Sequence, residues 1–487
     1  MNEQLTGIIE SFAFVIPELI LSGGILLILL LGLFNNTRNL FFNVCTMLIA
    51  LASLACMLVD GLETKTGLFN GMLQREGLGE FLILLVDISV VLTCLMSVNP
   101  PEKKHLSEYY ALLLSIALGC HLLLMTTHFL LAFLSLELVS ISSYVLAGYA
   151  FNKESSEGSL KYFLFGSVAS AIMLYGFSIL YGFTGTLDFA SSAFFDHLID
   201  NASPLLLISG LMALSGFLFK MSAAPMHPWA PDVYQAAPIP VIAFLSVAPK
   251  LAAVGILTKF LLALHLFGQG VYDWQIIIAA ITILTITVGN LSALWQKNPK
   301  RMMAYSSIAQ SGFLMIGVAA FLPQGIQFML FYAAVYLLMN FAVFTYLSWF
   351  EKRGLSSMDS FAGRGPGFLW ATVGITIALV ALTGLPPTGG FTAKLFVFSS
   401  LWESYEATRK SLLLWLLIFG LVNTVISLFY YLRIPYAAFI KAGERVELQK
   451  KPGFENLLGF ILVLLIVITF FMPGLLMGLI NRINFVL

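Results

Sequence analysis

Apolar runs of about twenty residues recur from one end of the chain to the other, each long enough to cross roughly 30 Å of hydrocarbon as a helix. They predict fourteen spans, at about 14–34, 40–59, 78–98, 108–126, 128–150, 160–183, 204–223, 238–266, 275–296, 302–321, 326–350, 367–400, 411–433 and 455–480. The expected fold is therefore an all-α polytopic membrane protein. Two spans are interrupted. The seventh reaches Lys220 and breaks over Pro225, Pro228, Pro231, Pro238 and Pro240. The chain then resumes as the eighth span, which holds Lys250. The twelfth reads ITIALVALTGLPPTGGFTAKLFVF, with Pro386, Pro387, Gly389 and Gly390 in its middle and Lys394 beyond them.

Backbone that leaves the helix at membrane depth is tolerated only where it is buried in protein or lines a water-filled cavity. A pair of such breaks in corresponding places of two halves is the sequence mark of an inverted-repeat transporter and its ion site. The expected organisation is three helices over 1–100, a five-helix repeat over 101–270, a second over 271–435, and a loop with a last helix over 436–487. The repeats comprise spans 4 to 8 and 9 to 13, and the match between them is topological, with little residue identity.

Composition agrees with this picture and narrows the chemistry. The chain is 59% hydrophobic and only 10% charged, with a mean hydropathy of +0.93, which fits an integral membrane protein and not a soluble domain. A net charge of zero gives no reason to expect a nucleic-acid partner. Cys45, Cys56, Cys94 and Cys120 lie in apolar segments without iron–sulfur spacing, and His121, His128 and His265 show no paired arrangement for haem. No nucleotide-binding glycine motif is present either, so neither a metal nor a cofactor is expected on this chain. Glu3 and Glu10 near the start, with no basic stretch, do not resemble a cleaved signal peptide.

Fifteen of the twenty-five lysines and arginines fall in alternate loops on one side, from Arg38, Lys103 and Lys104 through to Arg445, Lys450 and Lys451, against five on the other. By the positive-inside rule the first side is cytoplasmic and both termini face out. The remaining five, Lys161, Lys220, Lys250, Lys259 and Lys394, lie in or at the edge of apolar segments. An ionisable group at the bilayer centre costs roughly 2.5 to 3.5 kcal/mol on insertion scales, and it marks a functional site with a partner to be found.

Glu137, in FLSLELVSISSY, shares a helix face with Ser140, Ile141 and Tyr144 and is the expected partner of Lys220. The pair is either a static structural one or one whose strength is modulated. Burial penalises an ammonium and a nearby carboxylate favours it, so moving Glu137 would load or unload the lysine. Lys250 is the deep lysine of its span, and Lys259, about 180° around the helix, is expected to snorkel outwards. Lys394 has no carboxylate in its own segment. Lys161 is expected in a surface salt bridge with Glu154 and Glu157. His227 in the break is either a titrating group or a hydrogen-bonded loop residue, and Asp87 is a buried acid expected to contact a neighbouring helix or subunit.

The segments LSLELVSISSYVLAGY, EGSLKYFLFGS, FKMSAAPMHPWAPDVYQAAPIPV, FLSVAPKLA, NLSALWQKNPKRMMAYSSIAQSG and LTGLPPTGGFTAKLFVF resemble the antiporter-like subunits of respiratory complex I, over nearly the whole chain. Lysine at 394 in place of glutamate, an end after the fourteenth span in place of a lateral helix, and the DVYQ stretch select one paralogue within that family. The resemblance implies a proton-pumping module without a redox centre. Glu137 and Lys220 would form the modulated pair, Lys250 would connect the halves, and Lys394 would gate the outward side. Lys161, His227 and Gln310 are secondary candidates; Gln310 stands where several relatives have histidine and cannot take up a proton, so a relay there would need water.

The family further implies that NADH, FMN, iron–sulfur clusters and quinone are handled by other subunits. The expected partners are a neighbouring antiporter-like subunit, small helical subunits and the lipid of an inner membrane. Two rivals within this fold are a multi-subunit sodium/proton antiporter and a plastid-type complex fed by ferredoxin. A scaffold whose charges only hold helices together is a third.

Overall fold

The computed structural model describes residues 2–34, 39–60, 65–98, 105–200, 203–266, 272–443 and 453–483. The chain opens with α1 (Asn2–Ser11), α2 (Ile16–Phe34) and α3 (Asn39–Asp60). An antiparallel hairpin of β1 (Lys65–Leu68) and β2 (Leu73–Arg75) leads to α4 (Gly77–Met96), α5 (Leu106–Met125), α6 (Phe129–Ala147) and α7 (Lys153–Thr184). Next come α8 (Ser192–Asp200), α9 (Pro204–Met221), α10 (Ala230–Ala236), α11 (Ile239–Leu266), α12 (Trp274–Leu294), α13 (Pro299–Ala319) and α14 (Pro323–Glu351). After two short 3-10 turns follow α15 (Leu369–Thr383), α16 (Gly389–Thr408), α17 (Ser411–Tyr431), α18 (Arg433–Phe439), α19 (Phe454–Phe471) and α20 (Pro473–Ile480).

Among the described residues fourteen helices are long and apolar enough to span a membrane, matching the hydropathy pattern. Because the spans alternate in direction, the molecule has two ends. We call the end that carries the β-hairpin, the start of α4 and the finish of α5 the hairpin face, and the other the opposite face.

Local chemistry sets the helix ends. Proline stands in the first turn of α9, α13 and α14, where its missing N–H is not needed. Asn152 and Ser155 form a reciprocal cap that starts α7 earlier than the hydropathy pattern suggests, and Asn298 caps α13. Both expected breaks are present. α9 stops at Ser222, which has a positive φ, and the chain stays non-helical until α10; α15 stops at Gly384, at φ +86°, before α16 starts. The hairpin and α8 are additions that hydropathy did not foretell, since neither has the length or periodicity of a span.

The core is formed by α11, α13 and α14, which are almost wholly enclosed by other helices. By contrast α3, α17 and α19 keep most of their apolar surface exposed, as helices facing lipid do. Lys250 on α11 is consequently at the centre of the protein. Of the residues behind the orientation expected above, Arg38, Lys103, Lys104, Arg445, Lys450 and Lys451 lie outside the described residues, as do the side chain of His265 and the loop 444–452.

Candidate functional site

Lys220 is the last lysine of α9 and lies at the helix end where carbonyls have no intrahelical donor, the negative end of the helix dipole. It is 2% exposed, and its Nζ donates to Ser140 Oγ at 3.2 Å, Ser143 Oγ at 3.5 Å and Tyr162 Oη at 3.2 Å. The rings of Tyr162 and Tyr144 stand 5.4 and 5.9 Å from the ammonium. Tyr162 is held in place by Trp229 from the break, stacked at 4.0 Å, whose indole N–H donates to Phe219 O.

The expected contact between Glu137 and Lys220 is not made. Glu137 is half-buried on α6 and accepts a 2.5 Å hydrogen bond from Ser170 on α7, while Lys220 bonds to Ser140, one helical turn further along α6. One turn places the Cβ atoms of residues i and i+3 about 5 to 6 Å apart, so Glu137 stands next on α6 to the serine that Lys220 holds.

Lys250 is fully buried. Its Nζ donates to Ser307 O at 2.9 Å, Ser307 Oγ at 2.7 Å and Ser311 Oγ at 3.1 Å, all on α13. Ser307 also joins the hydroxyls of Tyr234 and Tyr336. Ser311 Oγ in turn donates to Met221 O at 2.7 Å, the carbonyl next to Lys220. Ser311 thus ties the Lys250 ammonium to the backbone of α9 one residue beyond Lys220.

Lys394 is 4% exposed and sits 4.0 Å from the ring centroid of Phe313 on α13. It donates to Thr383 O at 2.9 Å, the last residue of α15, so a helix end takes the place of the missing carboxylate. Gln310, between Ser307 and Phe313 on α13, donates to the adjacent carbonyl of Leu382 at 2.9 Å and to Tyr431 Oη at 3.2 Å, and accepts from Tyr332. One helix, α13, therefore touches Lys250 with Ser307 and Ser311 and Lys394 with Phe313. The order along the row is Glu137, Ser140, Lys220, Ser311, Lys250, α13, Lys394.

All three lysines meet hydroxyls, carbonyls and ring faces, and none contacts a carboxylate. A hydroxyl can accept from an ammonium and donate to an amine, so the hydroxyls at Lys220 and Lys250 accommodate either protonation state, while the Thr383 carbonyl and the Phe313 ring face at Lys394 accept from its N–H groups.

The secondary candidates lie apart from the row. Lys161 forms a half-exposed cluster on the opposite face, but with Glu157 and Asp232, each at 2.9 Å, and not with Glu154. Asp232 also takes Arg301 at 2.6 Å, tying α7, α10 and α13 together, a link that sequence reading missed. Burial alone would raise the Asp232 carboxyl, but hydrogen bonds from Lys161 and Arg301 outweigh it and hold it below the usual carboxylate range. His227 is half-buried in the break, and its Nδ1 has no partner among the described residues.

A further expectation is corrected. Lys259 does not snorkel freely; it is 7% exposed, bound to Leu124 O and paired with Glu76 at 3.1 Å. Asp87 contacts neighbouring helices as expected, through Ser53 on α3 and His121 on α5. His121, set aside as a haem ligand, is the centre of a carboxylate pair described below. Among the described residues no group of three or more histidines, cysteines and carboxylates has the arrangement of a metal site.

Residues 126–427 match the family model described as NADH:quinone oxidoreductase/Mrp antiporter, TM. The chain is 35% identical to NADH-quinone oxidoreductase subunit N 2 of Chloroherpeton thalassium, over 96% of this chain and 93% of that one. Its fold is similar to a chain of respiratory complex I from Thermus thermophilus, with a TM-score of 0.79 and 28% identity over 95% of this chain and 99% of that one. A chain of the Mrp complex from Dietzia sp. DQ12-45-1b shares the fold at a TM-score of 0.81, with 17% identity over 96% of each chain.

Proposed function

The chain belongs to the NADH:quinone oxidoreductase/Mrp antiporter family of membrane proteins, and we propose that it is the N-type subunit of an NADH:quinone oxidoreductase, in which it moves protons. The observation that carries this reading is the row of three buried lysines, linked through Ser311 and α13 and held by neutral groups. A proton carrier needs both of its protonation states to be habitable, and the hydroxyls around Lys220 and Lys250 support that. Glu137 acts as the modulator. Bonded to Ser170 it leaves Lys220 to neutral partners; swung towards Ser140 it would favour the charged lysine.

The energy scale is adequate. Moving a charge against 100 mV takes about 2.3 kcal/mol. That equals a change of under about two units in the proton affinity of one lysine, at about 1.36 kcal/mol per unit.

In this reading NADH, FMN, iron–sulfur clusters and quinone belong to other subunits, and this chain has no redox centre. Its neighbours are another antiporter-like subunit and small helical subunits. The basic loops place the opposite face in the cytoplasm and both termini on the outer side of an inner membrane. The chain divides into three leading helices, two repeats that each contain a broken helix, and a final helix.

The test is to replace Glu137 and Lys220 separately with glutamine in a complex that still assembles. NADH-driven proton translocation is expected to fall by an order of magnitude or more while NADH oxidation by an artificial acceptor persists. Undiminished translocation in both variants would leave the charges a structural role. Ion exchange independent of NADH and quinone would instead favour the antiporter reading suggested by the shared fold with the Mrp complex.

A further inference from the structure

Outside the lysine row, a buried histidine lies between two carboxylates from different helices. His121 on α5 is 0% exposed. Its Nδ1 stands 2.9 Å from Glu18 Oε1 on α2, and its Nε2 stands 3.1 Å from Asp87 Oδ1 on α4. Ser53 on α3 donates to the other Asp87 oxygen at 2.7 Å. A neutral imidazole has one donor and one acceptor nitrogen. With a carboxylate oxygen at each nitrogen, either the ring is doubly protonated or one of the acids carries the proton. Whichever atom holds it, the triad contains one proton more than a neutral ring between two bare carboxylates, and this follows without assigning any hydrogen position.

That proton has a route out. The second oxygen of Glu18, Oε2, is buried and finds no partner among the described residues. Glu18 also lines a small cleft together with Gln74, Arg75, Glu76 and Glu80. This cleft lies at the start of α4, on the hairpin face. Its charges are themselves anchored, Arg75 on Glu80 at 2.6 Å and Glu76 on Lys259 of α11 at 3.1 Å. On the inner side, Asp87 is 0% exposed and bonds to His121, which bonds to Glu18 at the cleft.

We propose that Glu18, His121 and Asp87 form a second proton-binding site, separate from the Lys220, Lys250 and Lys394 series, which exchanges protons with water at the hairpin face through the cleft beside Glu18. The proton passes from His121 Nδ1 to Glu18 Oε1, and rotation of the carboxyl then turns that O–H towards the cleft, where water takes the proton and the carboxylate is left behind. The charged and polar groups around it are Glu18 from α2, Ser53 from α3, Asp87 and Glu80 from α4, Arg75 and Glu76 beside them, and Lys259 from α11. Glu137, on the α6 helix that packs against α5, is engaged by Ser170.

The test uses the whole complex in sealed vesicles and dicyclohexylcarbodiimide, which modifies carboxyl groups only when they are protonated, with peptide mass spectrometry as the readout. Labelling of Glu18 and Asp87 is expected to fall about tenfold per pH unit above its midpoint when the compartment at the hairpin face is made alkaline. It should stay constant when only the other compartment is changed. In His121→Gln, Asp87 should lose this response while Glu18 keeps it. Labelling that is absent at every pH, follows the opposite compartment, or ignores both would overturn the proposal. So would an Asp87 response unchanged in His121→Gln. The wild-type arms stand alone if that variant fails to assemble, and their failure would leave the lysine row untouched.

Discussion

Glu137 and Lys220 are hydrogen-bonded to different hydroxyls, the carboxylate to Ser170 at 2.5 Å and the ammonium to Ser140 at 3.2 Å. The hydroxyl of Ser170 therefore competes with Lys220 for the carboxylate, and a hydrogen bond to a charged group is worth about 1.5 to 3 kcal/mol. Removing it should tip the balance towards the closed pair. Ser170→Ala is expected to slow NADH-driven proton translocation about tenfold or more, with Lys220 held charged, whereas Ser170→Thr keeps the hydroxyl and should stay near wild type. Acidification assays in vesicles with matched amounts of complex check this.

Gly384 supplies a different handle, on Lys394. It ends α15 at φ +86°, and a Cβ there would come within 2.7 Å of Lys394 Cδ. A left-handed conformation costs a residue with a Cβ roughly 1 to 2 kcal/mol. Gly384→Ala should lower the thermal midpoint of the complex modestly. It should also reduce proton translocation more than the stability loss accounts for, because the lysine is pushed off Thr383 O.

Gln310 holds Leu382 O, Tyr431 and Tyr332 in the stretch between Lys250 and Lys394. Gln310→Leu leaves these buried groups without their partner, at a cost of about 1 to 3 kcal/mol for an orphaned polar group. The complex should lose thermal stability and translocate protons more slowly. Gln310→His, which can bond on both sides, should restore most of the rate.

Asp232, on the opposite face, gives a pH prediction whose sign follows from its lowered carboxyl. A group with a depressed folded-state value stabilises the fold above its unfolded value and loses that contribution as pH falls through the folded one. The tie between α7, α10 and α13 should therefore hold at neutral pH and fail only in acid below the usual carboxylate range. Asp232→Asn should lower the thermal midpoint at neutral pH and narrow its gap from wild type as the medium is acidified.

The spans and both breaks were legible because hydropathy over twenty residues and clustered proline or glycine are local signals. Lys220, Lys250 and Lys394 stood out for the same reason, as charges inside apolar runs. Their partners did not, because all are neutral and two are far along the chain: Lys220 meets Ser140 eighty residues away and Lys250 meets Ser307 fifty-seven away, while Lys394 meets a backbone carbonyl, Thr383 O. Seeking a carboxylate for every lysine led to Glu137 as a direct partner and overlooked hydroxyls and helix ends. The reverse held for His121, whose two acids, Glu18 and Asp87, come from other helices. Asp232 was not singled out, because its two cationic partners lie about seventy residues away on either side.

Proton transfer along the lysine row is tested most directly at Lys250, which contacts α13 between the other two lysines. Protons translocated per NADH should be counted in sealed vesicles for Lys250→Met, which keeps length and bulk but cannot carry a proton, in complex shown to be assembled. A loss of the share contributed by this subunit, or a turnover about tenfold slower, is the predicted result. A proton count and rate equal to wild type would contradict the account.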